Sequence, residues 1–79
     1  NKWGFILAPK LYPDGKIIYK GSFRTMSDII DTTVFSKKLN GGGHKCASGF
    51  VVEASKLQVA LEKVISVIEE NRDIAYKTA

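Results

Sequence analysis

Gly41-Gly42-Gly43-His44-Lys45-Cys46-Ala47-Ser48-Gly49-Phe50 is the stretch from which the rest of the chain can be read. Three consecutive glycines carry a heavy entropic penalty. A flexible linker accepts that penalty. Here, however, Met26 to Leu39 has a helical composition and ends just before the glycines, and a strand-like run from Cys46 to Val52, interrupted by Gly49, follows just after. A junction that tight points to another group approaching the backbone closely. Successive bare N–H groups in such a turn form a concave anion site, and His44 and Lys45 add side-chain donors at its rim. The simpler alternative is a helix C-cap with a loose turn, because glycine adopts the left-handed conformation at little cost. Spacing alone leaves both readings open.

Working towards the N-terminus, the first helix has several candidate starts: Ser27, Asp31, Thr32 or Thr33. Val34, Phe35 and Leu39 would face its core. Trp3 to Ala8 is a short apolar run and reads as a buried strand. Pro13-Asp14-Gly15 is a turn in which proline sets one dihedral and glycine supplies positive φ. Lys16 to Thr25 reads as a second strand, with Ile17, Tyr19 and Gly21 on one face, so the two strands form a hairpin.

Towards the C-terminus, Ser55-Lys56-Leu57-Gln58 has a capping-box pattern. Leu57, Leu61, Val64, Ile65 and Ile68 follow at helical spacing, as a stripe facing the core. The helix ends near Asn71 or frays towards Ala79. The expected fold is α+β: a small mixed or antiparallel three-stranded sheet with two helices on one face, in the order β-β-α-β-α. Trp3, Phe5, Phe35 and Phe50 are expected in the core. Tyr12 and Tyr19 are the candidates for stacking on a base.

The chain has 79 residues, which sets one domain as the limit. Its hydrophobic fraction of 44% and charged fraction of 25% exclude disorder and low complexity. No run of about 18 apolar residues is present to span a membrane. Asn1-Lys2-Trp3-Gly4 has no signal-peptide layout. One cysteine makes no internal disulfide and fits a reducing compartment, so the cytoplasm is the expected location. There is no initiator Met and the first residues already read as strand, so the chain reads as a segment of a longer protein.

The net charge is +4, unevenly spread. Residues 1–50 hold eight Lys and Arg against three Asp, or +5; residues 51–79 hold four against five acidic residues, or −1. The basic half is the one with the glycines, which suits a phosphate-bearing partner.

Two better-known glycine motifs fail. The dinucleotide fingerprint needs glycine where Cys46 stands, and it needs a strand before and a helix after. The phosphate loop of nucleotide hydrolases needs Gly-Lys and then Ser or Thr, whereas Gly43 is followed by His44. A zinc site wants three or four ligands, and the one His and one Cys lie two positions apart.

The decapeptide Gly41 to Phe50, with Ser22-Phe23-Arg24-Thr25 about twenty residues earlier, resembles the DHH-associated domain, the C-terminal, substrate-binding half of DHH phosphoesterases. These include nanoRNA hydrolases that also dephosphorylate phosphoadenosine phosphate, RecJ-type exonucleases and cyclic-dinucleotide phosphodiesterases. The resemblance covers residues ~3–70 and makes residues 1–79 a single substrate-binding domain. It implies that Gly41, Gly42, Gly43, His44 and Arg24 contact substrate phosphate, with Ser22 and Lys45 as accessory candidates. An arginine fork suits phosphate oxygens. Asn40 stands where many members carry a fourth glycine, and Cys46-Ala47-Ser48 where Asn-Ala-Ala is usual.

The family's Asp-His-His motif and two-manganese centre are absent from this segment. The segment alone is therefore expected to have no catalytic residue, no metal and no hydrolytic activity. Manganese is expected in a catalytic domain linked in cis. The expected partners are a nucleic acid or nucleotide substrate and that catalytic domain, with no membrane. The function implied is phosphate binding for a hydrolase of short oligonucleotides or phosphorylated nucleotides. A second reading is a nucleic-acid-binding appendage of the kind found on alanyl-tRNA synthetase. A third is a structural or homodimerisation module, which leaves the glycines unexplained. The sequence upstream of Asn1 discriminates the first two.

Overall fold

A computed structural model describes residues 3–79; the reading of Asn1 and Lys2 as the start of a cut segment lies outside the described residues. The elements run β1 (Trp3–Leu11), β2 (Ile17–Thr25), α1 (Thr33–Lys38), β3 (Gly42–His44), β4 (Ala47–Glu53) and α2 (Leu57–Lys77). The fold is α+β, as the sequence implies. The sheet has four strands in the order β1-β2-β4-β3, and every pairing is antiparallel. The additional strand is made by the glycine segment itself. Gly42, Gly43 and His44 pair with Gly49, Ser48 and Ala47, so the expected turn is an edge strand.

The hairpin forms where Pro13-Asp14-Gly15 predicts it. Gly15 has φ 88°, its N–H reaches Tyr12 O at 2.9 Å, and Tyr12 N–H reaches Lys16 O at 2.8 Å. The Asp14 carboxylate accepts from Lys16 N–H at 3.0 Å.

Strand alternation then divides the sheet into two faces. Phe23 is fully buried, and its ring lies 4.7 Å from Phe50, 5.3 Å from Phe35 and 5.7 Å from Phe5 between centroids. Trp3 stacks on Phe35 at 5.5 Å. Tyr19, Phe50 and Val52 share this inner face, which the helices cover. Tyr19 is thus a core residue and offers no ring to a base. Lys10 lies over the Tyr12 ring at 5.5 Å.

Both helices differ in detail from their sequence signals. α1 is shorter than Met26–Leu39, and its N-cap is Thr32. The left-handed residue after it is Asn40 (φ 61°), since a short polar side chain tolerates that region. The α2 N-cap is Lys56, with no side-chain cap hydrogen bond, so the Ser55 capping box does not form. The buried stripe of α2 is Ala60, Val64, Ile68, Asn71 and Ala75. Leu57, Leu61 and Ile65 are exposed on its flank, because the helix turns smaller residues towards the sheet. Asn71 is accommodated by donating from Nδ2 to Val67 O at 2.8 Å. No helix among the described residues is long and apolar enough to cross a membrane.

Two glycines of the triplet are fixed by packing. A Cβ on Gly41 would stand 1.9 Å from Gly49 O, inside the β4 main chain. Gly43 has φ 143°, and a Cβ there would meet Ala47 O at 2.8 Å. Gly42 is different: a Cβ there would meet nothing within 4 Å, and its φ is not positive. A side chain at position 42 is therefore compatible with the fold. Gly41→Ala is expected to cost ~1–3 kcal/mol through displacement of β3 from β4, whereas Gly42→Ala should be neutral or stabilising by up to about 1 kcal/mol, because glycine in a strand is disfavoured relative to alanine. Chemical denaturation of the two variants checks this, and equal costs would contradict it.

The loop after β2 is tied to the β3–β4 turn through Cys46. The Cys46 thiol donates to Asp28 Oδ1 at 3.2 Å. That hydrogen bond, ahead of desolvation and the carboxylate charge, raises the thiol pKa. A raised folded value means that the native state holds the proton more firmly. The associated stability is present below the unfolded thiol pKa and is lost as pH rises through the folded one. Iodoacetamide should modify Cys46 more slowly at mildly alkaline pH than it modifies a free cysteine, and Asp28→Asn should speed the reaction. Equal rates in the two proteins would contradict the assignment.

Candidate phosphate-binding face

The outer sheet face is the one that no helix covers. Phe23 points inward, so Ser22 and Arg24 on either side of it point outward. Arg24 pairs with Gly4 on one side and Ala47 on the other, and Ala47 pairs with His44. Gly4, Arg24, Ala47 and His44 therefore form one row across all four strands, on one face. Arg24 is on β2 and His44 on β3, which are not neighbours. In the structure β4 lies between those strands, and the two backbones are ~10 Å apart at the usual strand spacing. The row shares a face, so the two side chains project from the same surface with only the Ala47 methyl between their strands.

The adjacent row is Ile6, Ser22, Gly49 and Gly42. A Cβ on Gly4 or Gly42 would meet nothing within 4 Å, and one on Gly49 would make only ordinary contact, 3.6 Å from Gly21 O. Packing does not require glycine at any of these three positions. The result is nearly bare main chain on both sides of Arg24: Gly4 beyond it on β1, and Gly49 and Gly42 in the row beside Ala47 and His44. Arg24 and His44 are both exposed, and neither side chain has a hydrogen-bond or ion-pair partner among the described residues. Asp28, in the loop after β2, accepts a hydrogen bond from Cys46. Of the acidic residues, Glu53 alone belongs to this face by register; it lies three rows from Arg24, beside Ile18, and pairs with Lys16 at 4.0 Å.

A buried hydroxyl chain holds the His44 end. Thr32 is fully buried and sits at the α1 N-cap, yet its side chain makes no cap bond. Instead Thr32 Oγ1 donates to Lys45 O at 2.8 Å, and Thr32 N–H donates to the same carbonyl at 2.9 Å. That donation uses the one proton on Thr32 Oγ1. Ser48 Oγ, 2.8 Å away, therefore donates to Thr32, and Ser36 Oγ donates to Ser48 at 2.5 Å. Each buried hydroxyl is satisfied, which makes such a network rigid. Thr32 enters the sequence reading only as a candidate helix start, and Ser36 and Ser48 have no role there.

Of the other candidates, Gly41 and Gly43 are positioned by packing, and Gly42 opens onto the outer face. Ser22 is half-buried in the second row, with no partner among the described residues. Lys45 is half-buried in the β3–β4 turn, where its carbonyl accepts from Thr32. Lys37 and Lys38 belong to α1, on the opposite side of the sheet. Among the described residues no three His, Cys, Asp or Glu side chains are grouped so as to hold a metal ion. The face offers donors and room for an anion to meet main chain, and it presents no nucleophile–base pair.

The DHHA1 domain model aligns with residues 10–70, which include β2, α1, β3, β4 and the start-to-middle of α2. No curated protein and no solved structure gives a significant match. The matched span is well over half of the chain, and the chain belongs to the DHHA1 domain family, the DHH-associated domain of the DHH phosphoesterases.

Proposed function

We propose that this domain binds the phosphate of a short oligonucleotide or phosphorylated nucleotide for a DHH-family phosphoesterase in the cytoplasm. Arg24 supplies a planar fork of donors and His44 an imidazole N–H. The observation that carries the reading is the bare main chain beside them. Gly4, Gly42 and Gly49 lack side chains where the fold leaves room for one. Glycine inside a strand costs ~0.5–1 kcal/mol relative to alanine, so three such positions on one face call for a compensating use. A ligand that rests directly on the main chain is such a use.

In this reading the catalytic domain is linked in cis, and its two manganese ions supply the metal-activated water. The present chain clamps the substrate electrostatically. Its residues Arg24 and His44 orient a phosphate towards the opposite wall of the cleft. Ser22 and Lys45 lie next to them as accessory donors.

Arg24→Ala and His44→Ala each remove a charge-assisted or neutral donor worth ~1.5–3 kcal/mol. Each should weaken binding of a short oligoribonucleotide by about tenfold or more and lower kcat/KM of the full-length enzyme comparably. Both residues are exposed, so denaturation midpoints should stay put. Arg24→Ala should also reduce the slope of log affinity against log salt by about one. Gly42→Val should abolish binding while the domain stays folded. Wild-type affinity in all three variants would overturn the proposal.

A further inference from the structure

Beside Arg24 the outer face is dished. Gly4, Phe5, Ile6, Ser22 and Arg24 line a shallow depression on the β1–β2 side of the sheet, away from His44. Its floor is open because Gly4 has no side chain and a Cβ there would touch nothing. Its wall is Ile6, 70% exposed on the edge strand although it is a large aliphatic residue. Its one neutral polar side chain is Ser22, directly opposite Ile6 in the register and unpartnered among the described residues. An apolar wall, a flat main-chain floor, one hydroxyl and an adjoining guanidinium are the parts of a small-molecule site with one apolar and one anionic end.

The phosphate proposal uses Arg24 and His44, with Gly4 as open main chain and Ser22 as an accessory donor, and leaves the exposed Ile6 side chain unexplained. The Ile6–Ser22 row is two residues along β2 from the Gly4–Arg24 row, a step of ~7 Å at ordinary strand rise. With its phosphate at the Arg24 end of the row, a nucleotide spans such a step: ribose between, base at the next row. A flat ring suits peptide planes with no Cβ above them, and its polar edge suits a single hydroxyl. A phosphorylated sugar without a base has nothing to place against Ile6.

We propose that Gly4, Ile6 and Ser22 form a nucleobase subsite, which seats the base of the nucleotide whose phosphate Arg24 and His44 hold. The inference rests on the phosphate reading above. Ile6 buries its exposed side chain against the base, Gly4 lets the ring lie on the sheet, and Ser22 donates to or accepts from its edge. The subsite contributes affinity for nucleotides over other phosphate esters. It selects for a base in general, since one hydroxyl carries little information about which base.

The test compares adenosine 5′-monophosphate with ribose 5-phosphate, each titrated into the 79-residue chain and followed by amide NMR shifts. The monophosphate is expected to bind several-fold more tightly and to shift the amides of Gly4, Ile6 and Ser22 as well as those near Arg24 and His44. Ile6→Ser should erase the difference while leaving ribose 5-phosphate affinity unchanged; its exposed position keeps the variant folded, as the amide spectrum will show. Equal affinities in the wild-type chain, both lost in Arg24→Ala, would overturn the base subsite and leave the phosphate site standing. Absence of shifts near Arg24 and His44 with either ligand would overturn the phosphate reading, and the subsite with it.

Discussion

The contact between Gly41 and the main chain of Gly49 is the constraint from which the rest of the site follows. A Cβ at position 41 would lie 1.9 Å from the Gly49 carbonyl oxygen. Only a residue without a side chain lets the segment after α1 approach β4 this closely. Once it does, Gly42 to His44 can pair as a fourth strand. The turn that follows is locked from beneath by Thr32, Ser48 and Ser36, all buried and all hydrogen bonded. His44 thereby gains a fixed row and a fixed face. Without that approach the glycines are a loose cap, and His44 has no defined relation to Arg24.

Arg24 is placed by a different force. Phe23 lies at the centre of an aromatic cluster with Trp3, Phe5, Phe35 and Phe50. Burying a large aromatic side chain is worth ~1.5–3 kcal/mol, and a register slip of one residue would turn that ring to solvent. The cost of such a slip holds Arg24 on the open face. One end of the row is therefore set by apolar burial and the other by polar satisfaction, and β4 is the ruler between them. The two ends converge on a surface whose glycines leave main chain accessible.

Much of this was legible in the sequence, for reasons that are local. Pro13-Asp14-Gly15 announces the hairpin because each residue's dihedral preference suits its place in the turn. The glycine triplet flanked by regular structure announces a close approach. Ser22-Phe23-Arg24-Thr25 singles out Arg24 through its resemblance to the family's strand end, and the strand alternation seen in the structure turns it outward. Other features depended on partners distant in the chain. Three glycines have no side-chain periodicity, so β3 is visible only once β4 is there to pair with it. The hydroxyl chain joins residues 32, 36, 45 and 48, and a serine or threonine does not show in advance which carbonyl it will meet. Leu57, Leu61 and Ile65 match a helical period, but α2 turns Ala60 and Ala75 inward beside Val64 and Ile68. Periodicity defines a stripe only to within its flanks, and packing chooses the edge.

The central claim is that an anion rests on the main chain of the outer face between Arg24 and His44. Titrating inorganic pyrophosphate into the 79-residue chain, with backbone amides and the Arg24 and His44 side chains observed together by NMR, addresses it most directly. The account predicts the largest shifts at Gly42, His44 and Ala47 and at the two side chains, with α2 and the Asp14–Gly15 turn unmoved. Shifts centred on α2 or on that turn, or none at the Arg24–His44 row under saturating ligand, would contradict it.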